Sequence, residues 1–255
     1  MTADNQPPTA NNQPPTADNR QPTADYRQPT TDSQLPIADS QQAFFDFDGT
    51  LTNRDSMRLF FRMADPRGLG WWRFLWALPG LVWRHGIGRE PLKKALVEAF
   101  LGGKSAAELT TLGERFVREV LPRHLNTQVL AAMRRLRDDG ARVVIVSAAL
   151  DVWLAPFARQ EQVGCLCTEV ACPDGVFRGA WRTPNCRGPE KRARMLVDGF
   201  PVAPAERARL WVIAYGNSRG DREMLAMADE AWWVSRSGTA RRISGARPFS
   251  PETTR

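Results

Sequence analysis

The sequence predicts an α/β domain, a doubly wound parallel sheet with helices on both faces. Three observations carry that expectation. Ala43 to Phe47, Arg142 to Val146 and Leu210 to Ala214 are short, uninterrupted apolar runs rich in Val, Ile and Phe, the pattern of strands buried on both faces. Helical patterns separate them: Leu130, Met133 and Leu136 share one face of a segment that starts at Thr127 and closes at Gly140, a glycine placed to end a helix. The order strand, helix, strand then repeats, which argues for a sheet whose site lies beyond the carboxyl ends of its strands.

Composition bounds the rest. The 255 residues are 42% hydrophobic, enough for a packed core in one large domain or two small ones. A formal charge of +7, from arginine far more than lysine, suits nucleic acid, anionic lipid or phosphorylated substrates without choosing among them. Cys165, Cys167, Cys172 and Cys186 lack paired C-x-x-C spacing, so buried reduced thiols are expected in preference to zinc or a disulfide framework. His85 and His124 are isolated and read as packing or surface residues. The N-terminus has no apolar signal-peptide core, so the expected compartment is the cytoplasm.

Residues 1–42 are a heptapeptide tail whose units begin at Thr2, Thr9, Thr16, Thr23, Thr30 and Ile37. Pro8, Pro15, Pro22, Pro29 and Pro36 remove one backbone donor per repeat and no apolar seam accompanies them, which excludes a coiled coil and predicts disorder. Residues 236–255 are polar and basic and read as a second loose tail, with Trp232 and Trp233 marking a final strand just before it. Arg241, Arg242 and Arg247 there read as solvated charges, and no nucleic-acid partner is expected.

Within the core, the stretch FDFDGTLT follows the first strand with Asp46 and Asp48. Residues two apart on an extended chain project to one side, so both carboxylates can face one crevice as the chain turns at Gly49. One acid can attack phosphorus while the other handles the leaving group's proton, and a hard cation such as Mg²⁺ offsets their repulsion. Ser147 follows the second strand, where a hydroxyl and nearby N–H groups can hold a phosphate oxygen. Lys191 opens a helix and can neutralise a transferring phosphoryl group. Asn217 and Asp221 follow the third strand as oxygen ligands four apart in a glycine-containing loop.

This ordered set resembles motifs I to IV of the haloacid dehalogenase superfamily, in subfamily IB, the phosphoserine phosphatase-like branch, over about 43–235. The resemblance implies a Rossmann-like core at 43–53 and 127–235, with a helical cap inserted at 54–126 after motif I. It implies Asp46 as the nucleophile that forms an aspartyl-phosphate, and Asp48 as the general acid and then base, its main-chain carbonyl facing Mg²⁺. Thr50 aligns Asp48 beside the substrate, Ser147 binds phosphate, and Lys191 bridges nucleophile and phosphate. The metal set is Asp46, Asp48, Asn217 and Asp221. Most relatives carry an acid where this chain has Asn217, so weaker metal affinity is expected, with Asp221 compensating. Asp55 and the pair Ala148 and Ala149 stand where phosphoserine phosphatases carry a substrate-binding glutamate and a Gly-Gly pair, which argues against phosphoserine itself.

The spacing between Asp46 and Ser147, roughly a hundred residues, exceeds what one crossover helix needs and counts against a response-regulator receiver. The surplus reads as cap helices. Ser105 and Glu108 form a capping box ahead of the apolar face Leu109, Leu112, Phe116, Val117 and Val120, and Leu92, Leu96, Ala99 and Phe100 form the face of the helix before it.

From Leu69 to Trp83 the chain is apolar all round, interrupted by Arg73 and Pro79 and flanked by Arg67 and Arg84. It falls short of the roughly 20 residues of a spanning helix. Two readings stay open: a helix buried on the core, or an interfacial segment whose indoles and arginines suit anionic lipid. The apolar stretch also resembles the cap of phosphatidylglycerophosphatase C, which implies a lipid phosphate. The function expected is a Mg²⁺-dependent phosphatase acting on a phosphorylated small molecule or a lipid phosphate, in the cytoplasm and with peripheral contact at the inner membrane face. The alternatives are a catalytically silent phosphate-binding protein of the same fold, and a phosphoserine phosphatase.

Overall fold

The computed structural model describes residues 40–85 and 88–243. The heptapeptide repeat before Ser40, and Arg247 with the rest of the C-terminal stretch after Ile243, lie outside the described residues. Six strands form one sheet in the order β3-β2-β1-β4-β5-β6: β1 Ser40–Phe45, β2 Arg142–Leu150, β3 Gly164–Thr168, β4 Leu210–Gly216, β5 Glu230–Val234 and β6 Ala240–Arg242. All neighbours run parallel except β5 and β6. Between β1 and β2 come α1 Ser56–Ala64, α2 Leu69–His85, α3 Arg89–Leu101, α4 Ala106–Glu119 and α5 Thr127–Asp138; α6 Asp151–Glu161 leads to β3. Helices α7 Pro189–Val197 and α8 Pro204–Arg207 precede β4, and α9 Arg222–Ala226 follows it.

The strand sequences explain the two-faced packing. Ala43 and Phe45, Val143 and Ile145, and Ile213 and Tyr215 enter one apolar cluster. The alternate residues Phe44, Val144, Val146, Val212 and Ala214 enter another on the opposite face. Side chains alternate across a strand, so a run apolar at every position must be covered on both sides. Across the central strands Phe45, Tyr215 and Trp232 stack in a row, with ring centroids 4.6 and 5.6 Å apart.

Strand limits differ from the sequence reading in ways the pairing explains. β1 was expected at Ala43 to Phe47 after a tail ending at residue 42; it begins at Ser40, because Ser40, Gln41 and Gln42 pair with Leu210, Trp211 and Val212. β2 was expected to end at Val146 but continues to Leu150 past a register irregularity against β3. The stretch expected as a loose tail from 236 contributes a strand. β5 has an open edge, and Gly238 (φ +86°) turns the chain so that Arg241 and Arg242 pair with Trp233 and Trp232; exposed arginines on an edge strand discourage further pairing. The thiols at 165, 167, 172 and 186 are all free, with Cys167 and Cys186 buried.

In the region 54–126, α1 and α4 share the core. Phe60 stacks on Trp153 of α6 at 4.7 Å and meets Phe116 edge-on at 5.4 Å. At Gly113 a Cβ would meet the Val152 carbonyl oxygen at 1.8 Å, so glycine is what lets α4 approach α6. Ser105 and Glu108 form the capping box. Helix α2 packs on α3 through Gly70, whose missing Cβ leaves room for the Phe100 ring, but it is not buried: Trp72, Trp76 and Trp83 are 66%, 84% and 91% exposed. Among the described residues, no helix is long and apolar enough to cross a membrane.

Candidate active site

Parallel pairing sets the stage: β1, β2 and β4 are adjacent, so the residues that leave their carboxyl ends meet in one crevice. Asp46 extends β1 by one rung, its N–H donating to the Tyr215 carbonyl at 2.9 Å. The chain then turns at Gly49, where φ is +82° and a Cβ would lie 1.8 Å from Asn217 Nδ2. Glycine alone permits both the turn and the contact between the two loops. At Gly216, before the second loop, the missing side chain leaves room for Asp221, whose Cβ an added Cβ would meet at 2.7 Å.

Lys191 enters from the first turn of α7, behind Gly188 and Pro189. Its side chain is 2% exposed and its Nζ donates to Asp46 Oδ1 at 2.7 Å and to Asp221 Oδ1 at 2.6 Å. Asp221 accepts at its other oxygen from Asn217 N at 3.2 Å and from Ser218 N and Oγ, both at 2.8 Å. The two acids therefore diverge. Burial pushes Asp46 up to about 6, Lys191 offsetting only part of that cost and Asp221 adding to it. Burial also acts on Asp221, but Lys191 and the Ser218 donors outweigh it and hold Asp221 below the usual carboxylate range. Lys191 is held above the ordinary lysine range, because its two carboxylate partners exceed the cost of burial.

Asp48 is held differently. Its Oδ1 accepts from Ser56 N at 2.7 Å, at the start of α1. Burial pushes it up to about 7 against that bond, and the neighbouring Asp55 adds to the rise. Asp48 and Asp46 thus both lie within reach of neutral pH, where a carboxyl group can give and take a proton.

A cavity of about 300 Å³ is lined by Asp46, Asp48, Asp55, Ser147, Ala148, Lys191, Asn217 and Asp221. The structure thus brings together every residue expected for the site except Thr50. Thr50 was expected to align Asp48 beside the substrate. It is fully buried, does not line the cavity, and donates from Oγ1 to Asp46 Oδ2 at 3.1 Å, because the Gly49 turn folds it back under the first acid. Ser56 is the residue that holds Asp48. Ser147 was expected just after its strand; it lies within β2, in the irregular stretch, with Oγ accepting from Ala149 N at 3.1 Å. Asp55 caps α1, accepting from Arg58 N at 3.1 Å, and also faces the cavity.

Sequence reading missed Ser56, Arg89, Lys93, Asn185 and Arg187. Arg187 and Asn185 immediately precede the Lys191 helix, and that proximity was the available signal. Lys93 carried none: it reaches across from α3, donating from Nζ to the Ala148 carbonyl at 2.5 Å and to Asn185 Oδ1 at 2.7 Å, and lies 5.1 Å over the Trp181 ring. Burial lowers it to about 8.

The donors suit a hard cation in kind, being all oxygen: the Asp46 carboxylate, the Asp48 main-chain carbonyl and the Asn217 amide. Among the described residues no three His, Cys, Asp or Glu side chains form a metal-binding group. Asp221 was expected to compensate for Asn217 as a ligand. Its oxygens accept from Lys191 and from the loop it organises, as those of Asp46 accept from Lys191 and Thr50, and in each carboxylate the oxygen that faces Lys191 keeps a further lone pair for a cation.

A model of the haloacid dehalogenase-like hydrolase family matches residues 43–226. The protein named CicA of Caulobacter vibrioides is 38% identical over 190 residues, covering 73% of this chain and 82% of that protein. A crystal structure of a protein of unknown function from Bordetella pertussis Tohama I superposes with a TM-score of 0.61 at 22% identity, over 75% of this chain and 88% of that one. A phosphoserine phosphohydrolase-like protein from Francisella tularensis superposes with a TM-score of 0.51 at 18% identity, over 75% of this chain and 85% of the other. At these identities the two structures speak for the fold alone.

Proposed function

The chain belongs to the haloacid dehalogenase-like hydrolases, and from that premise we propose that it is a phosphatase of the phosphoserine phosphatase-like subfamily IB, cleaving a phosphate monoester through an aspartyl-phosphate on Asp46. The observation that carries this reading is Lys191 Nζ set between Asp46 Oδ1 and Asp221 Oδ1, at 2.7 and 2.6 Å, in the wall of the cavity. An ammonium group fixed there draws a phosphate oxygen onto the nucleophile and offsets the charge that two anions bring together.

In the first step an Asp46 oxygen attacks phosphorus, the bond from phosphorus to the ester oxygen breaks, and Asp48 gives that oxygen its proton. In the second, the ionised Asp48 takes a proton from water as the water oxygen attacks the aspartyl-phosphate, which frees phosphate and restores Asp46. Ser147 and the N–H groups beside it hold the remaining phosphoryl oxygens. Thr50 orients Asp46, and Ser56 orients Asp48. Mg²⁺ would be held by Asp46, the Asp48 carbonyl, Asn217 and Asp221, and when bound it would supply charge neutralisation between carboxylate and phosphate.

In this reading the helices inserted between β1 and α5 form a cap that excludes water and selects the substrate through α1 and α3, which carry Met57, Arg89 and Lys93 to the cavity wall. Arg89 and Lys93 of α3 put cations in the cavity wall beyond Lys191, which favours an ester with a further anionic or polar group, from a small metabolite or a lipid phosphate. Asn217 favours a second reading, a phosphate-binding protein without turnover. One assay separates the two: the full chain with Mg²⁺ releases p-nitrophenol from p-nitrophenyl phosphate, and Asp46→Asn does not. Equal release by the two proteins would overturn the phosphatase reading.

A further inference from the structure

Helix α2 holds a concentration of exposed apolar surface; Trp71 meets the Phe100 ring edge-on at 5.4 Å, and Trp72, Trp76 and Trp83 are the most exposed of the set. Leu69, Trp71, Trp72, Leu75, Trp76, Val82 and Trp83 are all exposed, and seven large apolar side chains on one helix of a water-facing domain require an explanation. At 100° per residue they fall within an arc of about 160°, while Gly70 and Phe74 lie on the opposite side. That opposite side is the packed one: Gly70 abuts the Phe100 ring, and Phe74 packs against the main cluster. The helix is therefore held to the domain by one face and presents the other outward. Among the described residues, none from this helix lines the active-site cavity.

The charges around this face choose its occupant. From Pro66 to Gly88 the sequence has no aspartate or glutamate, and its arginines are Arg67, Arg73 and Arg84. Arg67 and Arg73 are exposed. At the start of the helix, Arg58, Arg62 and Asp65 line a cleft of about 490 Å³ against Trp71 and Phe100, and Asp65 Oδ2 is engaged by the Gly70 N–H at 2.6 Å. A second copy of the chain would set arginines against arginines across a self-complementary interface, which like charge opposes. The sequence before Ser40 supplies only Met1, Tyr26, Leu35 and Ile37 as large apolar residues, too few to cover the arc. An apolar layer edged by negative charge satisfies both features: indoles settle at the headgroup level and arginines meet anionic headgroups.

We propose that α2 is an interfacial anchor that docks this domain on anionic lipid, lying in the membrane plane with Trp72, Trp76 and Trp83 inserted. At about 25 Å, its 17 residues are long enough to lie flat across several lipids. The inference stands apart from the phosphatase reading, since it uses no cavity residue. It does have a geometric consequence for that reading: α3 follows α2 in the chain, packs along it, and carries Arg89 and Lys93 to the cavity wall.

The test uses the full chain with vesicles of phosphatidylcholine alone and of phosphatidylcholine mixed equally with phosphatidylglycerol. At low salt the protein sediments with the mixed vesicles and its tryptophan emission shifts to the blue, whereas with phosphatidylcholine alone it stays largely in the supernatant. The triple variant Trp72→Ser, Trp76→Ser, Trp83→Ser binds the mixed vesicles at least about tenfold more weakly. It keeps the parent circular dichroism and the parent rate on p-nitrophenyl phosphate without vesicles. Folded protein that remains in the supernatant with the mixed vesicles would overturn the proposal. So would a dimer in solution that Trp76→Glu converts to a monomer, since the face would then belong to a second copy.

Discussion

The main-chain N–H of Ser56 donates to Asp48 Oδ1 at 2.7 Å, and the Ser56 hydroxyl in turn accepts from Trp153 Nε1 at 3.0 Å. The second acid of the site is thereby tied to the first turn of α1 and, through it, to a fully buried indole. A helix N-terminus favours the ionised carboxylate, yet burial outweighs it and leaves Asp48 titrating at about 7. An acid so placed can protonate a leaving group and then serve as base within the same pH range.

A bell-shaped pH dependence follows. Asp46 must be ionised to attack, so kcat/KM rises through about 6, and Asp48 must be protonated to assist departure, so it falls above about 7. The alkaline limb should be steeper for an alkyl phosphate than for p-nitrophenyl phosphate, whose leaving group needs little protonation. Steady-state rates on both esters from pH 5 to 9 check this, and a flat profile for the alkyl ester would remove Asp48 as the acid.

Stability should move with the same group. The folded value of about 7 exceeds the ordinary 3.8, so the folded chain holds this proton more tightly than the unfolded one. Asp48 therefore lowers stability progressively as pH rises between those values, and its full cost is present above about 7. Asp48→Asn removes that cost. Relative to the parent it should gain on the order of 2 kcal/mol between about pH 5 and pH 8, read by urea unfolding at the two pH values, while losing activity. Parallel curves for variant and parent would contradict the raised value.

Lys191 is a structural cation as well as a reactive one. Lys191→Ala leaves Asp46 and Asp221 buried without a counter-charge, a change that costs roughly 3–5 kcal/mol. Adding Asp46→Asn to it should recover part of the loss, because one of the two stranded charges disappears. Thermal unfolding of the two variants at pH 8 gives the comparison, and a loss below about 1 kcal/mol for Lys191→Ala would mean that water already compensates the acids.

Much of this was legible in the sequence, for specific reasons. The three apolar runs became β1, β2 and β4, because residues apolar at every position must be covered on both faces. Asp46, Asp48, Ser147, Asn217 and Asp221 converge because parallel strands deliver their carboxyl ends to one edge, and the first turn of α7 brings Lys191 to the same place. The role of Thr50 was misread since the Gly49 turn, and not the spacing, decides which acid its hydroxyl reaches. Ser56 and Lys93 were invisible because their contacts span 8 and 55 residues and depend on how α1 and α3 pack. β6 was missed because Ala240–Arg242 is a strand only by virtue of the edge that Trp232 and Trp233 offer.

Asn217→Asp tests the metal side. The Asn217 amide meets Gly49 beside Asp48, and replacing it with a carboxylate adds a full charge to the oxygen donors. Mg²⁺ should bind roughly tenfold more tightly by isothermal titration calorimetry. An unchanged affinity would place the cation away from Asn217.

The most direct measurement is chemical trapping of the covalent intermediate. The full chain is acid-quenched during turnover of p-nitrophenyl phosphate with Mg²⁺, reduced with borohydride, digested and sequenced by mass spectrometry. An aspartyl-phosphate is reduced to homoserine, so homoserine at position 46 is expected, and its yield should fall to background in Asp46→Asn. Turnover with homoserine at another aspartate, or with none at all, would contradict an Asp46 nucleophile held against Lys191.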